Sequence, residues 1–280
     1  MSQKISYAQN SEDIILARVF SDVENGNYLD VGANHPVIDS VTKYFYDNGW
    51  SGINIEPLKR EFKMLMEDRP RDINLNICVG ETNTTIEFVV VENRSGWSTA
   101  DPTQIEKIQR DLELKKTVVS VEQKTLNEIL SNNYLSELHF LKIDVEGSEL
   151  NVLQGIDLNK NRPWVVVIES TEPGSQISSH QSWEYLLTDI QYTYAYSDGI
   201  NRFYLANEKL ILLPRFSHPP NAFDGFIPWV AVEYYQKMMR EKDLVNRLED
   251  ELKKVFSSTS WKATVPLRKF SALIKKFRKY

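Results

Sequence analysis

Residues 141–149 read Leu-Lys-Ile-Asp-Val-Glu-Gly-Ser-Glu. Side chains alternate along a strand, so Lys142, Asp144 and Glu146 share one face while Leu141, Ile143 and Val145 share the other. Three charges at the end of an apolar strand are costly to bury without a task. Carboxylates so placed suit removal of a proton from a hydroxyl, or a hard divalent ion such as Mg²⁺ that acidifies one. Asp144 and Glu146 are candidates for either role. Glu169, at the end of the apolar run Trp164–Glu169, is a third carboxylate expected at the same edge. His180 lies just beyond it and titrates near neutral pH. An ordinary loop histidine is an equally weighted reading of that residue.

A second constellation lies upstream. Tyr-Leu-Asp-Val-Gly-Ala-Asn at 28–34 reads as a strand entering a glycine turn, and Ile-Asn-Ile-Glu-Pro at 53–57 as the next strand. Gly32 lets backbone approach a ligand closely. Asp30 sits where a carboxylate orders the turn or meets a cationic ligand. Glu56, followed by Pro57, is placed to accept hydrogen bonds from two ribose hydroxyls. The turn has one glycine, not the G-x-G-x-x-G that admits a pyrophosphate, and no G-x-x-x-x-G-K-[ST] phosphate loop occurs. A single-glycine turn suits an adenosine cofactor without phosphates, and S-adenosylmethionine is that case. Ile77-Cys78-Val79-Gly80 ends the third strand, which places Cys78 and Val79 beside the adenine. Cys78 reads as a small hydrophobe, not a nucleophile.

The elements that must position these residues alternate. The strands expected are Tyr28–Val31, Gly52–Glu56, Ile73–Val79, Phe140–Val145 and Trp164–Glu169, several of them continuous apolar runs typical of a parallel sheet buried on both faces. Between them the pattern predicts a helix capped by Ser40, one over Lys59–Asp68, one capped by Thr125 and one over Ser148–Leu153. Thr85–Val91 and Val118–Glu122 read as inserted strands. The fold class is therefore α/β, a Rossmann-like doubly wound, mostly parallel sheet with a C-terminal helical extension. Ligands in such sheets sit beyond the carboxyl ends of the strands.

The expected organisation is a domain over 1–229, a charged helix over 230–256 and a basic amphipathic tail over 257–280. Met238, Val245, Leu248, Leu252 and Val255 form a short heptad-like seam that Glu241 interrupts, compatible with a coiled coil and a homo-oligomer or with packing on the domain. From Trp261 to Tyr280 there are seven basic residues and no acidic one, and Leu267, Phe270, Ile274 and Phe277 recur at helical spacing. That pattern suits either an anionic membrane surface or a partner protein. The net charge of −6 argues against a duplex nucleic-acid partner. A single cysteine excludes an internal disulfide. With no leader pattern and no apolar run long enough to span a bilayer, the expected location is cytoplasmic, with peripheral contact at the inner membrane face.

These residues resemble the FkbM-type methyltransferases. The resemblance runs over about residues 5–229, through YAQNSEDIIL (7–16), YLDVGANHPVIDSVTKYFYDNGWSGINIEP (28–57), LKIDVEGSELNVLQG (141–155), RPWVVVIE (162–169), DGINRFYL (198–205) and FDGFIPW (223–229). It implies a sheet of the class I methyltransferase type, S-adenosylmethionine as donor, and O-methylation of a sugar or natural-product hydroxyl. It implies cofactor contacts at Asp30, Gly32, Asn34 and Glu56, an N-terminal flap at Gln9 and Asn10, and reaction-side acids at Asp144 and Glu146. Many relatives have glycine where this chain has Pro36. The segment SWKATVPLRK (260–269) is similar to the ends of surface-polysaccharide enzymes, which implies an O-antigen or capsule sugar as acceptor. Trp97 and Trp183 are candidates to stack on a sugar, and Arg94 and Lys142 to meet an acidic one. The competing readings are an O-methyltransferase of a small secondary metabolite and a non-catalytic scaffold.

Overall fold

The computed structural model of the chain describes residues 3–92, 97–110, 114–133 and 135–277. Two units are distinguished, Met1–Pro228 and Trp229–Tyr280.

In the first unit the strands are β1 (Lys4–Ser6), β2 (Asn27–Val31), β3 (Ser51–Ile55), β4 (Ile73–Leu75), β5 (Cys78–Val79), β6 (Thr84–Val91), β7 (Lys116–Lys124), β8 (Phe140–Ile143), β9 (Val165–Glu169), β10 (Tyr192–Ser197), β11 (Asn201–Ala206) and β12 (Phe226–Pro228). Seven of them form one sheet in the order β10-β11-β9-β8-β2-β3-β4. β9, β8, β2, β3 and β4 run parallel, and β11 lies antiparallel between β9 and β10. The chain moves outward from β2 through β3 to β4, then returns to β8 on the other side. That reversal opens a crevice at the carboxyl ends of β2 and β8, where ligands collect in such sheets.

Alternation along the strands supplies two cores, one for each face of the sheet. Leu29, Val31, Ile53, Ile55, Leu141, Ile143, Val166 and Ile168 pack with Leu126 and Ile129 of the helix Leu126–Asn132 and with Val152 and Leu153 of the helix Glu149–Gln154. Tyr28, Phe140, Val165, Val167, Phe203 and Leu205 pack instead with Ile15, Leu16 and Val19 of the helix Glu12–Val19, and with Phe45 and Trp50. Thr125 caps its helix as expected, its hydroxyl accepting from the Glu128 amide at 3.1 Å.

Three expectations are corrected. The run 73–79 is not one strand: only Ile73–Leu75 joins the main sheet, and Cys78–Val79 pairs with β7 in a separate three-stranded sheet. Asn76 explains the break, because its side chain donates to the carbonyls of Glu56 and Pro57 at 2.8 Å and turns the chain out of the ladder. Ser40 does not cap a helix. The helix is Lys43–Asp47, and the Ser40 hydroxyl accepts instead from Arg69 at 3.1 Å. The strand at 140 ends at Ile143, two residues early, since the chain is already turning toward positive φ at Glu146 and Gly147.

Arg69 ties the segment after the glycine turn to the sheet. It is fully buried, donates to the Pro36 carbonyl, Ser40 and Thr42, and lies 3.9 Å from Asp72. Asp72 in turn accepts from Tyr28, Asn54 and the Gly52 amide. Removing the guanidinium would leave a buried carboxylate without its cation. Arg69→Ala is therefore expected to cost about 3–5 kcal/mol of stability, read by urea unfolding.

The second unit holds the helix Trp229–Ser257, a short helix Thr259–Ala263 and the helix Val265–Phe277. None of the described residues of the 229–257 helix is buried. Among the described residues no helix is long and apolar enough to cross a membrane.

Candidate active site

A cavity of about 520 Å³ occupies the crevice at the ends of β2, β3 and β8. Its walls include the turn 31–34, Glu56–Leu58, Ile77–Val79, the β6 residues Thr84, Ile86 and Phe88, and Lys142, Asp144, Glu146 and Glu169. The β6–β7 hairpin, read only as an insertion from sequence, thus forms one side of the site.

The glycine turn is held by geometry that only glycine satisfies. Gly32 has φ of +79°, and a Cβ added there would lie 1.8 Å from the carbonyl oxygen of Asp144. β2 and the end of β8 can approach this closely only without a side chain. Gly32→Ala is expected to lose about 2–4 kcal/mol of stability by urea unfolding, through clash and positive φ together. The amides of the turn point away from any ligand. Those of Gly32 and Ala33 both donate to the Ile55 carbonyl, at 3.0 and 3.1 Å, and that of Asn34 donates to Glu56 Oε2 at 2.7 Å. No amide of residues 32–34 remains for a phosphate, which agrees with the absence of a second glycine in the motif.

Glu56 is 4% exposed. Its other oxygen, Oε1, accepts from the Leu58 amide at 2.7 Å. Burial pushes its carboxyl up to about 7, against the lowering by these two amides. Each oxygen keeps an acceptor position, and the carboxylate is fixed against the cavity. The Asn34 side-chain oxygen, also on the cavity wall, is buried with no hydrogen-bond partner. Pro57, Leu58, Ile77, Cys78, Val79, Ile86 and Phe88 give the neighbouring wall an apolar character. Burial holds the Cys78 thiol up at about 12, so it is a packing group and not a nucleophile.

The acidic edge converges as its spacing implied. Lys142 is buried, donates to the Gly32 carbonyl at 2.8 Å, and stands 3.4 Å from Asp30 and 3.3 Å from Asp144. Burial alone would lower its affinity for a proton, but the two carboxylates more than offset that and keep it charged. Its donors are occupied by the protein, so it braces the turn and is not available to an acidic sugar. Glu169 and Glu146 are both raised well above the ordinary carboxylate range, by burial first and then by Asp144 beside them. One oxygen of Glu169 is buried without a partner. Glu146 adopts φ of +55°, and its carbonyl accepts from Thr99. Glu149 stabilises this strained turn from the first turn of its helix, accepting from the amides of Val145 and Gly147 at 3.3 and 3.0 Å.

Five expectations about the site are corrected. Asp30 does not line the cavity: it is 1% exposed, accepts from Thr42 at 2.8 Å and faces Lys142 from beneath. Its position, one residue before the end of β2, turns it inward. Asn10 is also outside the wall, its amide donating to Glu12, whereas Gln9 lines the cavity. His180 is not at the site. Its ring contacts Ser178 and lies 3.8 Å from Glu184, and burial together with Arg202 lowers its proton affinity. A metal at Asp144 and Glu146 finds no support in the ligand set, since no group of three or more His, Cys, Asp or Glu among the described residues is arranged to hold one. Trp183 belongs to the core, and Arg94 lies outside the described residues.

The sequence reading missed Glu12 and Asn201. Glu12 opens its helix, lines the cavity at 4% exposure and accepts from Asn201 at 2.8 Å. Burial and Asp198 push its carboxyl up to about 8. A first-turn glutamate usually serves the helix dipole, which hides such a role in sequence. A second, smaller cavity of about 220 Å³ shares Trp97 and Glu146 with the first, and is otherwise walled by Thr99, Gln104, Pro173 and Gly174 among others.

A family model described as the methyltransferase FkbM domain matches residues 30–194. Among solved structures the chain is similar to a methyltransferase FkbM from Methylobacillus flagellatus KT, at 15% identity and a TM-score of 0.41, over 65% of this chain and 44% of that one. The chain thus spans less than half the length of that protein. No curated protein sequence matches it. The family match takes in more than half of the chain, from the glycine turn through the acidic edge and β9, and the chain belongs to the FkbM methyltransferase domain family.

Proposed function

We propose that the chain is an S-adenosylmethionine-dependent O-methyltransferase acting on a sugar hydroxyl, in the assembly of a surface polysaccharide. The observation that carries this reading is a pair of neighbouring cavities that share Trp97 and Glu146 in their walls.

The larger cavity fits the donor. Glu56 offers acceptors to the two ribose hydroxyls, the wall from Pro57 to Val79 suits an adenine, and the orphan oxygen of Asn34 suits a donor from the ligand. Seven carboxylates line it (Glu12, Asp39, Glu56, Glu81, Asp144, Glu146 and Glu169) against the single cation Lys142, among the described residues. With one cation on a wall of acidic groups, the cavity offers little counter-charge for a pyrophosphate. When bound, S-adenosylmethionine supplies an electrophilic methyl group on a positively charged sulfur.

Trp97, 40% exposed, lines the smaller cavity, and an aromatic wall suits a sugar acceptor. Glu146 takes the proton from the hydroxyl as it attacks. Burial first, and then the charges of Asp144 and Glu149, keep that proton affinity high, and Lys142 lies beside Asp144. The resemblance of residues 260–269 to the ends of surface-polysaccharide enzymes supports the polysaccharide setting.

The test is to incubate the full chain with S-adenosylmethionine and a panel of methyl glycosides, nucleotide sugars and phenolic metabolites, and to follow S-adenosylhomocysteine and product mass. Methylation of glycosides supports the reading. Turnover of phenolic metabolites alone replaces the sugar with a small-metabolite acceptor. Absence of turnover and of donor binding in a folded protein overturns the enzyme reading in favour of a scaffold.

A further inference from the structure

The helix Val265–Phe277 carries a pattern that methyl transfer does not use. Leu267, Phe270 and Ile274 are 70%, 66% and 45% exposed, although large apolar side chains on a structured helix are normally covered. At about 100° per residue, these positions fall within roughly 60° of one another around the helix. Arg268 and Lys269 fall on the opposite side, and the sequence adds Lys275 and Lys276 to the same segment. Residues 261–280 hold seven basic side chains and no acidic one, so the acidic excess of the chain lies wholly outside this segment.

The start of the helix is shaped as well. The Arg268 guanidinium stacks over the Trp261 ring at 3.7 Å and donates to the Trp261 carbonyl at 2.6 Å. This clasp joins the Thr259–Ala263 helix to the one that follows, and the indole, itself 36% exposed, lies against Arg268 and Phe256. Tryptophan is favoured where an apolar body and a polar tip meet the headgroup layer of a bilayer.

We propose that the helix Val265–Phe277 docks in the plane of an anionic lipid bilayer. Leu267, Phe270 and Ile274 enter the boundary between headgroups and acyl chains, while the basic positions face the lipid phosphates. Charge complementarity selects this occupant. A nucleic acid would pair with the basic side and leave the apolar positions in water. A protein groove for the apolar side would leave the uninterrupted run of cations without a counterpart.

The experiment uses the full chain, sedimented with phosphatidylcholine vesicles with and without phosphatidylglycerol. Sedimentation is expected only with the anionic vesicles and is expected to weaken with salt. The pair Leu267→Glu and Phe270→Glu is expected to abolish it. Replacing Arg268, Lys269, Lys275 and Lys276 by Gln is expected to weaken it by roughly fivefold per charge. Far-ultraviolet circular dichroism checks that each variant is folded. The two variants alter different sides of the helix, so they test the proposal separately. Absent sedimentation, equal sedimentation with neutral vesicles, or variants that sediment like the parent would each overturn it. Binding to an RNA oligonucleotide in place of vesicles would do so as well.

Discussion

Glu146→Gln is expected to lower kcat by about 10²- to 10⁴-fold, the usual contribution of a positioned general base. Donor affinity is expected to stay within about threefold, because Glu146 is shared with the smaller cavity whereas Glu56, assigned to the ribose, lines the larger one alone. Gln keeps the shape of the side chain, and the positive φ at this position belongs to the backbone, so the fold should persist. The pH profile carries a second signature. Burial and the neighbouring carboxylates raise Glu146 to about 8, and the base works only when ionised. The rate should therefore rise with pH along an acid limb well above the ordinary carboxylate range, and flatten beyond it. Asp144→Asn removes one of the neighbouring charges and should move the limb to lower pH. A profile unchanged in Asp144→Asn would remove Glu146 from the role of base.

Glu56→Ala is expected to weaken S-adenosylmethionine binding by roughly 100-fold. Two hydrogen bonds from hydroxyls to a charged acceptor are together worth about 3 kcal/mol. The same carboxylate holds the Asn34 and Leu58 amides, so its loss also loosens the glycine turn. Glu56→Gln separates the two contributions. It keeps the volume and one acceptor, but turns an amide donor toward the amide of Asn34 or of Leu58. An intermediate loss of affinity, with a smaller loss of thermal stability than Glu56→Ala, is the expected result in calorimetry and thermal unfolding.

Much of this was readable in the residues, and the reasons are specific. Val31-Gly32 and Leu141–Asp144 announced themselves because continuous apolar strands ending in glycine or charge have few other uses. The long helix over 230–256 was legible from charge and spacing, and it runs from Trp229 to Ser257. Roles set by tertiary direction were not legible. Asp30 lies one residue before the end of β2 and Glu56 one residue beyond β3, and one points beneath the turn at Lys142 while the other lines the cavity. Strand alternation fixes which residues share a face, not which face becomes the ligand wall. Glu12 was hidden for a related reason: its partner Asn201 is distant in the chain, and only the folded sheet brings them together. His180 was misplaced because nearness in sequence to β9 does not carry the loop back over the strand end. The break at Asn76 was invisible in an otherwise strand-like run, since it depends on carbonyls of β3's following turn.

The central claim is that the cavity between the glycine turn and the acidic edge is a donor site for S-adenosylmethionine. The direct measurement is calorimetric titration of the folded full chain with S-adenosylmethionine, beside Glu56→Ala under the same conditions and with EDTA as a control for metal. One-to-one binding that survives EDTA and collapses in Glu56→Ala is the predicted result. No binding to the folded parent, or equal binding to both proteins, would contradict it.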